Sequence, residues 1–349
     1  MNYNRILVIQ AVFLTTCMSF TPAIKSVLIN TWIEQLPKDN RCIFLFDRHA
    51  PTRDQRDVEQ LKIVMQALID REEATTRPLY ILTESTLNEI RWHTRDVLCS
   101  LKSEITHLQI MEEKEFTHTS IENIDVRKLS KAVNYILCLD NTTSYDENAS
   151  LNYRFNNDVY EWRQGSLSFN DLLTEFNEQQ KFALTTTNSL LELCDTIQEK
   201  KDVENFYKKT IEETNGHFAK YLKFIKNQEI EVSSPTSIYQ ETYNWGKSLK
   251  KNLHIVLIET FSPFFDLYVF SRIFIIHKQN SSLDIVVIAG CYHCWNISAE
   301  VVGTLQGVDV YSKTTELHEI ECLPPEVLYN VLQEKTPLEE TPKWNCVLF

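Results

Sequence analysis

The chain has 349 residues, of which 43% are hydrophobic and 24% charged, a composition typical of a globular protein with a substantial buried core. Its formal net charge of −13 repels nucleic-acid phosphates and anionic lipids, so we expect no nucleic-acid partner. The chain has only 6 glycines and contains neither a G-x-G-x-x-G fingerprint nor a P-loop, so we expect no nucleotide cofactor.

The first segment, residues 1–23, has the pattern of a secretory signal peptide. Arg5 precedes an apolar stretch from Ile6 to Phe20, and the small residue Ala23 follows at a suitable cleavage point. A segment of the protein core is the alternative interpretation. The pattern predicts an exported or periplasmic protein.

Short apolar runs alternate with amphipathic segments along much of the remaining chain. Strands are predicted at residues 42–47, 78–84, 134–140, 284–290 and 308–311, and helices at residues 54–70 and 297–305. This alternation predicts an α/β fold with a mostly parallel sheet and helices on both faces.

The segment between the third and fourth predicted strands differs in composition. Residues 167–227 are rich in Glu, Lys, Gln and Leu, with apolar residues at helical intervals, which predicts a helical insertion over about 160–250. We therefore assign residues 24–320 to one α/β domain that contains this insertion. Residues 321–349 are predicted to form a flexible acidic tail.

Residues 261–277 form a nearly continuous apolar stretch that Asp266 and Arg272 interrupt. The pair Ser262-Pro263 is typical of an N-cap followed by a first helical turn. We therefore expect a buried helix that begins there, and not a membrane span.

Polar side chains follow the carboxyl ends of the predicted strands, where ligands bind in open α/β sheets. These residues are Asp47, His49, Glu84, Asp140 and His293. Histidines and carboxylates in this position can bind a divalent metal ion or act as acid and base. A structural role is the alternative for each: Asp140 and Glu84 can cap the next turn or helix, and His49 can be an exposed loop residue.

These positions resemble the motifs of the superfamily that joins the erythromycin-esterase-like, ChaN-like haem-binding, TraB and Tiki proteins. Its members share an acidic residue, a spacer and a histidine on the first strand, a glutamate that ends the second strand, and a late strand that ends in G-x-x-H. The matching residues are Asp47-Arg48-His49, Glu84 and Gly290-Cys-Tyr-His293. The usual glycine before the first acidic residue is Phe46 here, and the acidic residue is Asp instead of Glu.

Two further segments carry the resemblance. Gln55 and Gln60, in the helix predicted after the first motif, are similar to the ChaN-like members. Asp266, Tyr268 and Arg272 resemble a helix of uncharacterised relatives from bacteria that live inside protists. The resemblance covers residues 40–95 and 260–312.

The resemblance implies a hydrolase that acts on an ester or peptide bond. A His/Glu base, or a divalent metal ion held by His49, Glu84 and His293, would activate water, and a histidine would protonate the leaving group. Asp47 joins this catalytic set, with Asp140, Asp266 and Arg272 as supporting residues. The sequence contains no G-x-S-x-G nucleophile elbow.

A non-catalytic interaction protein is the second hypothesis. The helical insertion would bind a protein partner, or the cleft would hold a ligand such as haem, and the protein would act as an effector in a host cell. The large insertion and the absence of the first-strand glycine favour this alternative.

Two cysteines flank the last candidate in the segment Cys291-Tyr-His293-Cys294. A redox C-x-x-C pair requires an exposed first cysteine with a lowered pKa, and a zinc site requires a second ligand pair, which the sequence lacks. We therefore expect both cysteines to pack at the strand end and His293 to face the cleft.

The last four residues, Cys346-Val-Leu-Phe349, match the C-a-a-X prenylation pattern, with a terminal Phe of the geranylgeranyl type. A chance match is the alternative. Export and prenylation are compatible only if a bacterium delivers the protein into a host cell, since a protein in the secretory lumen does not meet the cytosolic transferase. We expect membrane association only if Cys346 is lipidated.

Overall fold

The computed structural model describes residues 25–50, 56–84, 115–124, 168–236, 245–314 and 323–333, with a few residues between 101 and 109, residues 154–155 and 158–159, and residues 238 and 241. The chain divides into two compact units. The first, which we call the sheet unit, comprises residues 25–123 and 276–349, and the second, the helical unit, contains residues 124–275.

The described elements follow one another in this order: β1 (Lys25–Leu36), β2 (Asn40–Ala50), α1 (Arg56–Ala74), β3 (Leu79–Thr83), β4 (Thr119–Asn123), β5 (Arg154–Phe155), β6 (Asp158–Val159), α2 (Phe169–Leu193), α3 (Ile197–Asn227), α4 (Lys247–Gln279), β7 (Asp284–Gly290), α5 (Cys291–Leu305), β8 (Val308–Thr314) and α6 (Pro325–Leu332). Among these described elements, no helix is long and apolar enough to cross a membrane.

The sheet unit is built on a six-stranded sheet with the order β4-β3-β7-β2-β1-β8. The pairs β4–β3, β3–β7 and β7–β2 are parallel, whereas β2–β1 and β1–β8 are antiparallel. The α/β class is therefore confirmed, but the sheet is mixed and not mostly parallel.

The antiparallel part of the sheet arises from a hairpin that the sequence analysis did not predict. Pro37, Lys38 and Asp39 connect β1 to β2, and Lys38 and Asp39, the central residues of the turn, have φ angles of 61° and 57°. Positive φ at both central residues matches the right-handed twist of an antiparallel pair. The usual sequences for such a turn are Asn-Gly and Asp-Gly, so the Lys-Asp pair does not predict it.

Helices cover both faces of the sheet. One face carries Ile43, Leu45, Ile81 and Val286, which form a hydrophobic core with α1 and α6. Successive strand residues point to opposite faces. The other face therefore presents Phe46 and Trp32, whose rings lie 4.9 Å apart, and α5 covers it through Trp295, 4.7 Å from Trp32.

An arginine cluster fixes the amino end of β7. The carboxylate of Asp284, which is fully buried, contacts Arg41, Arg71 (Nη2···Oδ2 2.8 Å) and Arg77 (Nε···Oδ1 3.0 Å). Burial alone would raise the pKa of Asp284, but the hydrogen bonds and charge of Arg41, with the charges of Arg71 and Arg77, lower it below its usual value. This carboxylate joins β2, α1 and β7 at one point.

The helices differ from the predictions mainly in where they begin. The predicted N-cap at Ser262-Pro263 is wrong, because α4 begins at Lys247 and Pro263 lies inside the helix. The helix predicted at 297–305 begins at Cys291, directly after β7. The predicted strand at 134–140 and the signal peptide lie outside the described residues. Of the flexible tail predicted at 321–349, residues 323–333 are described, and they include the helix α6, which packs Leu328 and Val331 into the core.

The helical unit confirms the helices predicted between 167 and 227. Ser168 caps α2 and Thr196 caps α3, each in a capping box with the acidic residue three positions later. The rings of Phe176 on α2 and Phe218 on α3 stack with their centroids 3.8 Å apart. Two N-terminal capping boxes and an aromatic contact therefore define this helical pair.

Candidate functional site

Three of the predicted site residues lie at the carboxyl ends of three adjacent parallel strands. Asp47 on β2 is the register partner of Gly290, the last residue of β7. Glu84 follows β3, and its N–H donates to the carbonyl oxygen of Ile288 on β7 at 2.8 Å. His293 lies in the first turn of α5, three residues beyond the end of β7. The parallel half of the mixed sheet therefore positions the site.

Gly290 is the centre of this arrangement. Its N–H donates to Glu84 Oε2 at 3.0 Å. A β-carbon on residue 290 would lie 3.7 Å from Glu84 Oε2 and 3.7 Å from His293 Cδ2, so these two atoms are no more than twice that distance apart. The absence of a side chain at residue 290 leaves space beside both the carboxylate and the imidazole.

The amino end of α5 adds an electrostatic component. Gly290 is the N-cap residue and supplies no capping side chain. The Glu84 carboxylate lies at this positive end of the helix, where negative charge is favoured. Glu84 and His293 are both half-buried, which leaves part of each side chain accessible to a substrate.

Asp47 is 1% exposed, and its backbone carbonyl accepts a hydrogen bond from the Cys291 thiol (Sγ···O 3.0 Å). The negative charges of both Glu84 and Asp47 act on Cys294, which places the two carboxylates near the same turn. The site thus combines a buried carboxylate, a half-buried carboxylate and an imidazole.

The cysteines that flank His293 are packing residues, as predicted. Cys291 and Cys294 are free and buried, and the Cys294 thiol donates to the carbonyl oxygen of Ala289 at 3.3 Å. Burial, with a smaller effect of Cys291, raises the pKa of Cys294 well above its usual value. A low-pKa redox thiolate at Cys294 is therefore inconsistent with this environment.

The structure describes the remaining predicted residues only in part. His49 lies on β2 opposite Ser26 in the backbone register, and its side chain lies outside the described residues, as do Asp140 and Cys346. Asp266 and Arg272 lie on α4 within the helical unit. The described site therefore consists of Asp47, Glu84 and His293.

Gln60 has a structural role. Its amide nitrogen donates to the carbonyl oxygen of Leu28, and its amide oxygen accepts from the N–H of Leu28, both at 2.8 Å. Leu28 lies where the β1–β2 register shifts. The Gln60 side chain therefore pairs with a backbone N–H and a carbonyl at an irregular point of the ladder. Gln55 lies outside the described residues.

The sequence analysis missed the role of Gly290 as the residue that joins Glu84 to His293. The G-x-x-H spacing contains the signal: a helix that starts directly after the glycine brings the residue three positions later back toward the strand end. Because the predicted helix began at residue 297, this geometry was not apparent.

No protein-family model matches the chain, and no curated protein or solved structure matches it significantly. Its function is therefore inferred from the site itself.

Proposed function

We propose that this protein is a hydrolase whose strand-end site activates water for attack on an ester or peptide bond. The observation that carries the proposal is that Glu84 Oε2 and His293 Cδ2 each lie 3.7 Å from the position of a β-carbon on residue 290. A carboxylate and an imidazole beside the same backbone position suit the two proton transfers of hydrolysis. The resemblance of these motifs to those of the erythromycin-esterase-like superfamily implies the same chemistry.

In this proposal Glu84 is the general base. Its carboxylate takes a proton from water while the water oxygen attacks the carbonyl carbon. His293 then gives a proton to the leaving oxygen or nitrogen as the scissile bond breaks. The amino end of α5 favours the negative charge that develops on the carbonyl oxygen.

A divalent metal ion is compatible with the donor types, since imidazole and carboxylate ligands suit zinc and related ions. Glu84 and His293 would hold it together with His49, and the ion would lower the pKa of bound water. Within the described part of the chain, no group of three or more His, Cys, Asp or Glu residues is arranged to hold a metal. The described residues therefore supply two of the three ligands.

The test is hydrolysis of a panel of p-nitrophenyl esters and chromogenic peptides, with and without added zinc or manganese. Glu84→Gln retains a carbonyl oxygen that can accept the Gly290 N–H, but it cannot act as a base. We expect Glu84→Gln and His293→Gln to lower kcat/KM about 100-fold or more. Glu59→Gln, the same change at an exposed position of α1, is the matched control.

Two results would contradict the proposal. One is full activity in Glu84→Gln. The other is the absence of wild-type turnover across the panel under every metal condition. Elemental analysis of the purified protein beside His293→Gln tests the metal separately.

A non-catalytic binding protein is the second candidate. It is favoured by the exposed apolar side chains of the helical pair, where Phe182 is 38%, Leu184 47% and Ile197 87% exposed. A protein partner that covers these side chains would remove their apolar surface from water. For the haem version, titration of the protein with haem should give a Soret shift that His293→Gln abolishes.

A further inference from the structure

The inference concerns a buried histidine in the last turn of α4. His277 is 3% exposed and belongs to the sheet unit, as does the rest of that turn from residue 276. Its Nδ1 lies 2.9 Å from Nδ2 of Asn40, a fully buried residue that begins β2. The two side chains therefore join the end of α4 to the start of β2.

The other contacts of Asn40 fix the direction of its amide. Its Oδ1 accepts a hydrogen bond from the N–H of Leu283 at 3.1 Å, and its Nδ2 donates to the carbonyl oxygen of Asn280 at 3.2 Å. A flipped amide would place donor against donor and acceptor against acceptor at both positions. Asn40 therefore presents an N–H to His277, so Nδ1 accepts and the neutral imidazole carries its proton on Nε2.

A second proton on His277 is incompatible with this contact. A charged imidazole donates from both nitrogens, so its Nδ1–H would face the N–H of Asn40 and the hydrogen bond would be lost. The charged groups around the turn are Lys38 and Asp39 of the β1–β2 turn, Lys278 of α4, and Arg41, Arg77 and Asp284 of the arginine cluster. Both carboxylates already contact arginines, so the imidazole charge would be added to a mainly cationic region.

The dipole of α4 acts in the opposite direction, because a positive charge is favoured in the last turn of a helix. That attraction is modest, whereas protonation breaks a buried hydrogen bond and places a charge in a site shielded from water. The neutral form is therefore the one that fits the folded structure.

We propose that His277 and Asn40 form an acid-sensitive latch that holds the α4–β7 turn on the start of β2. At neutral pH the latch is closed. In acid His277 takes up a proton, the contact with Asn40 opens, and the N–H of Leu283 loses its protection. A cavity of about 530 Å³, lined by Lys38 and residues 278–281, brings solvent to this turn. The latch is independent of the proposed hydrolytic site.

The test compares urea unfolding of the wild type and His277→Asn at pH ~8 and pH ~5. Asparagine places an amide oxygen near the position of Nδ1, but it does not take up a proton in this range. A histidine of the unfolded chain becomes charged below pH ~6.5, whereas the closed latch opposes that charge. The unfolding equilibrium constant of the wild type, relative to that of His277→Asn, should therefore rise about tenfold on acidification.

His118→Asn is the control, because it makes the same change at a half-buried position of the sheet unit, and it should not remove the acid effect. Glu34 is present in every variant, so its own titration cancels from the ratio. At pH ~5, hydrogen exchange at the N–H of Leu283 should be faster in the wild type than in His277→Asn.

A measurement on the wild type alone keeps the test independent of how the variants fold. Imidazole ¹⁵N shifts report the charge and tautomer of each of the 9 histidines. One imidazole should still be mostly neutral at pH ~6, with its proton on Nε2, and its signal should be absent from His277→Asn.

Three outcomes would overturn the proposal. All 9 imidazoles could be mostly charged at pH ~6 in the folded wild type. The imidazole of His277 could carry its neutral proton on Nδ1. Finally, wild type and His277→Asn could respond equally to acid in both unfolding and hydrogen exchange.

Discussion

Glu34 is an acidic side chain buried within the sheet. It lies on β1 between Cys42 of β2 and Asp309 of β8, it is 2% exposed, and its Oε2 has no hydrogen-bond partner among the described residues. Burial, together with the negative charge of Asp309, raises its pKa from 4.5 to about 7. We predict that this carboxylate destabilises the protein at alkaline pH.

The size of the effect follows from the shift. The folded state holds the proton of Glu34 more tightly than the unfolded state, so stability falls as the pH rises from 4.5 to about 7. At about 1.4 kcal/mol for each pKa unit, the loss is about 3 kcal/mol once both states are ionised. Glu34→Gln removes the charge, and the variant should be about 3 kcal/mol more stable than the wild type at pH ~8 but similar to it at pH ~4.

Urea unfolding at both pH values, followed by tryptophan fluorescence, measures this difference. Glu59→Gln is the control, because it makes the same chemical change at an exposed position of α1 and should change stability little at either pH. Asp309→Asn removes the repelling charge and should lower the pKa of Glu34, so the loss of stability should end at a lower pH and be smaller than in the wild type. The reasoning is refuted if Glu34→Gln gains no more stability at pH ~8 than at pH ~4.

Three further predictions concern the sheet unit. Asp284→Asn leaves three arginines without their shared buried charge and should lower the free energy of unfolding by about 3–5 kcal/mol. Asp39 binds Arg77 of the same cluster through an exposed side chain, so Asp39→Asn should lower it by about 1 kcal/mol or less. Urea unfolding measures both changes. Gln60→Ala leaves a buried backbone N–H unpaired and should lower the melting temperature, at a cost of about 1–3 kcal/mol. Cys291→Ser with Cys294→Ser should leave ligand binding or turnover within a few-fold of wild type, and a loss as large as that of His293→Gln would restore the redox or metal interpretation.

The sequence determined the elements whose signals are local. The apolar run at 285–289 lies in β7, which has the predicted bounds 284–290, because a strand buried on both faces is nearly continuous in apolar residues. The helical pair between 167 and 227 has its own capping residues and a regular apolar period. The grouping of Asp47, Glu84 and His293 followed from one general rule, that parallel strands bring their carboxyl ends to one edge.

The tertiary structure decided what depends on residues distant in sequence. β1 alternates polar and apolar residues weakly, and it becomes a strand because β2 and β8 pair with it on both sides. α4 continues through Pro263, a residue that normally marks a helix start or kink, because the fully buried Val269, Phe270 and Phe274 and the surrounding core hold the segment in one helix. The contact of Glu84 with Gly290 joins residues 206 positions apart, and no local pattern encodes it. Pairing and burial are properties of neighbours in space, so only the folded chain specifies them.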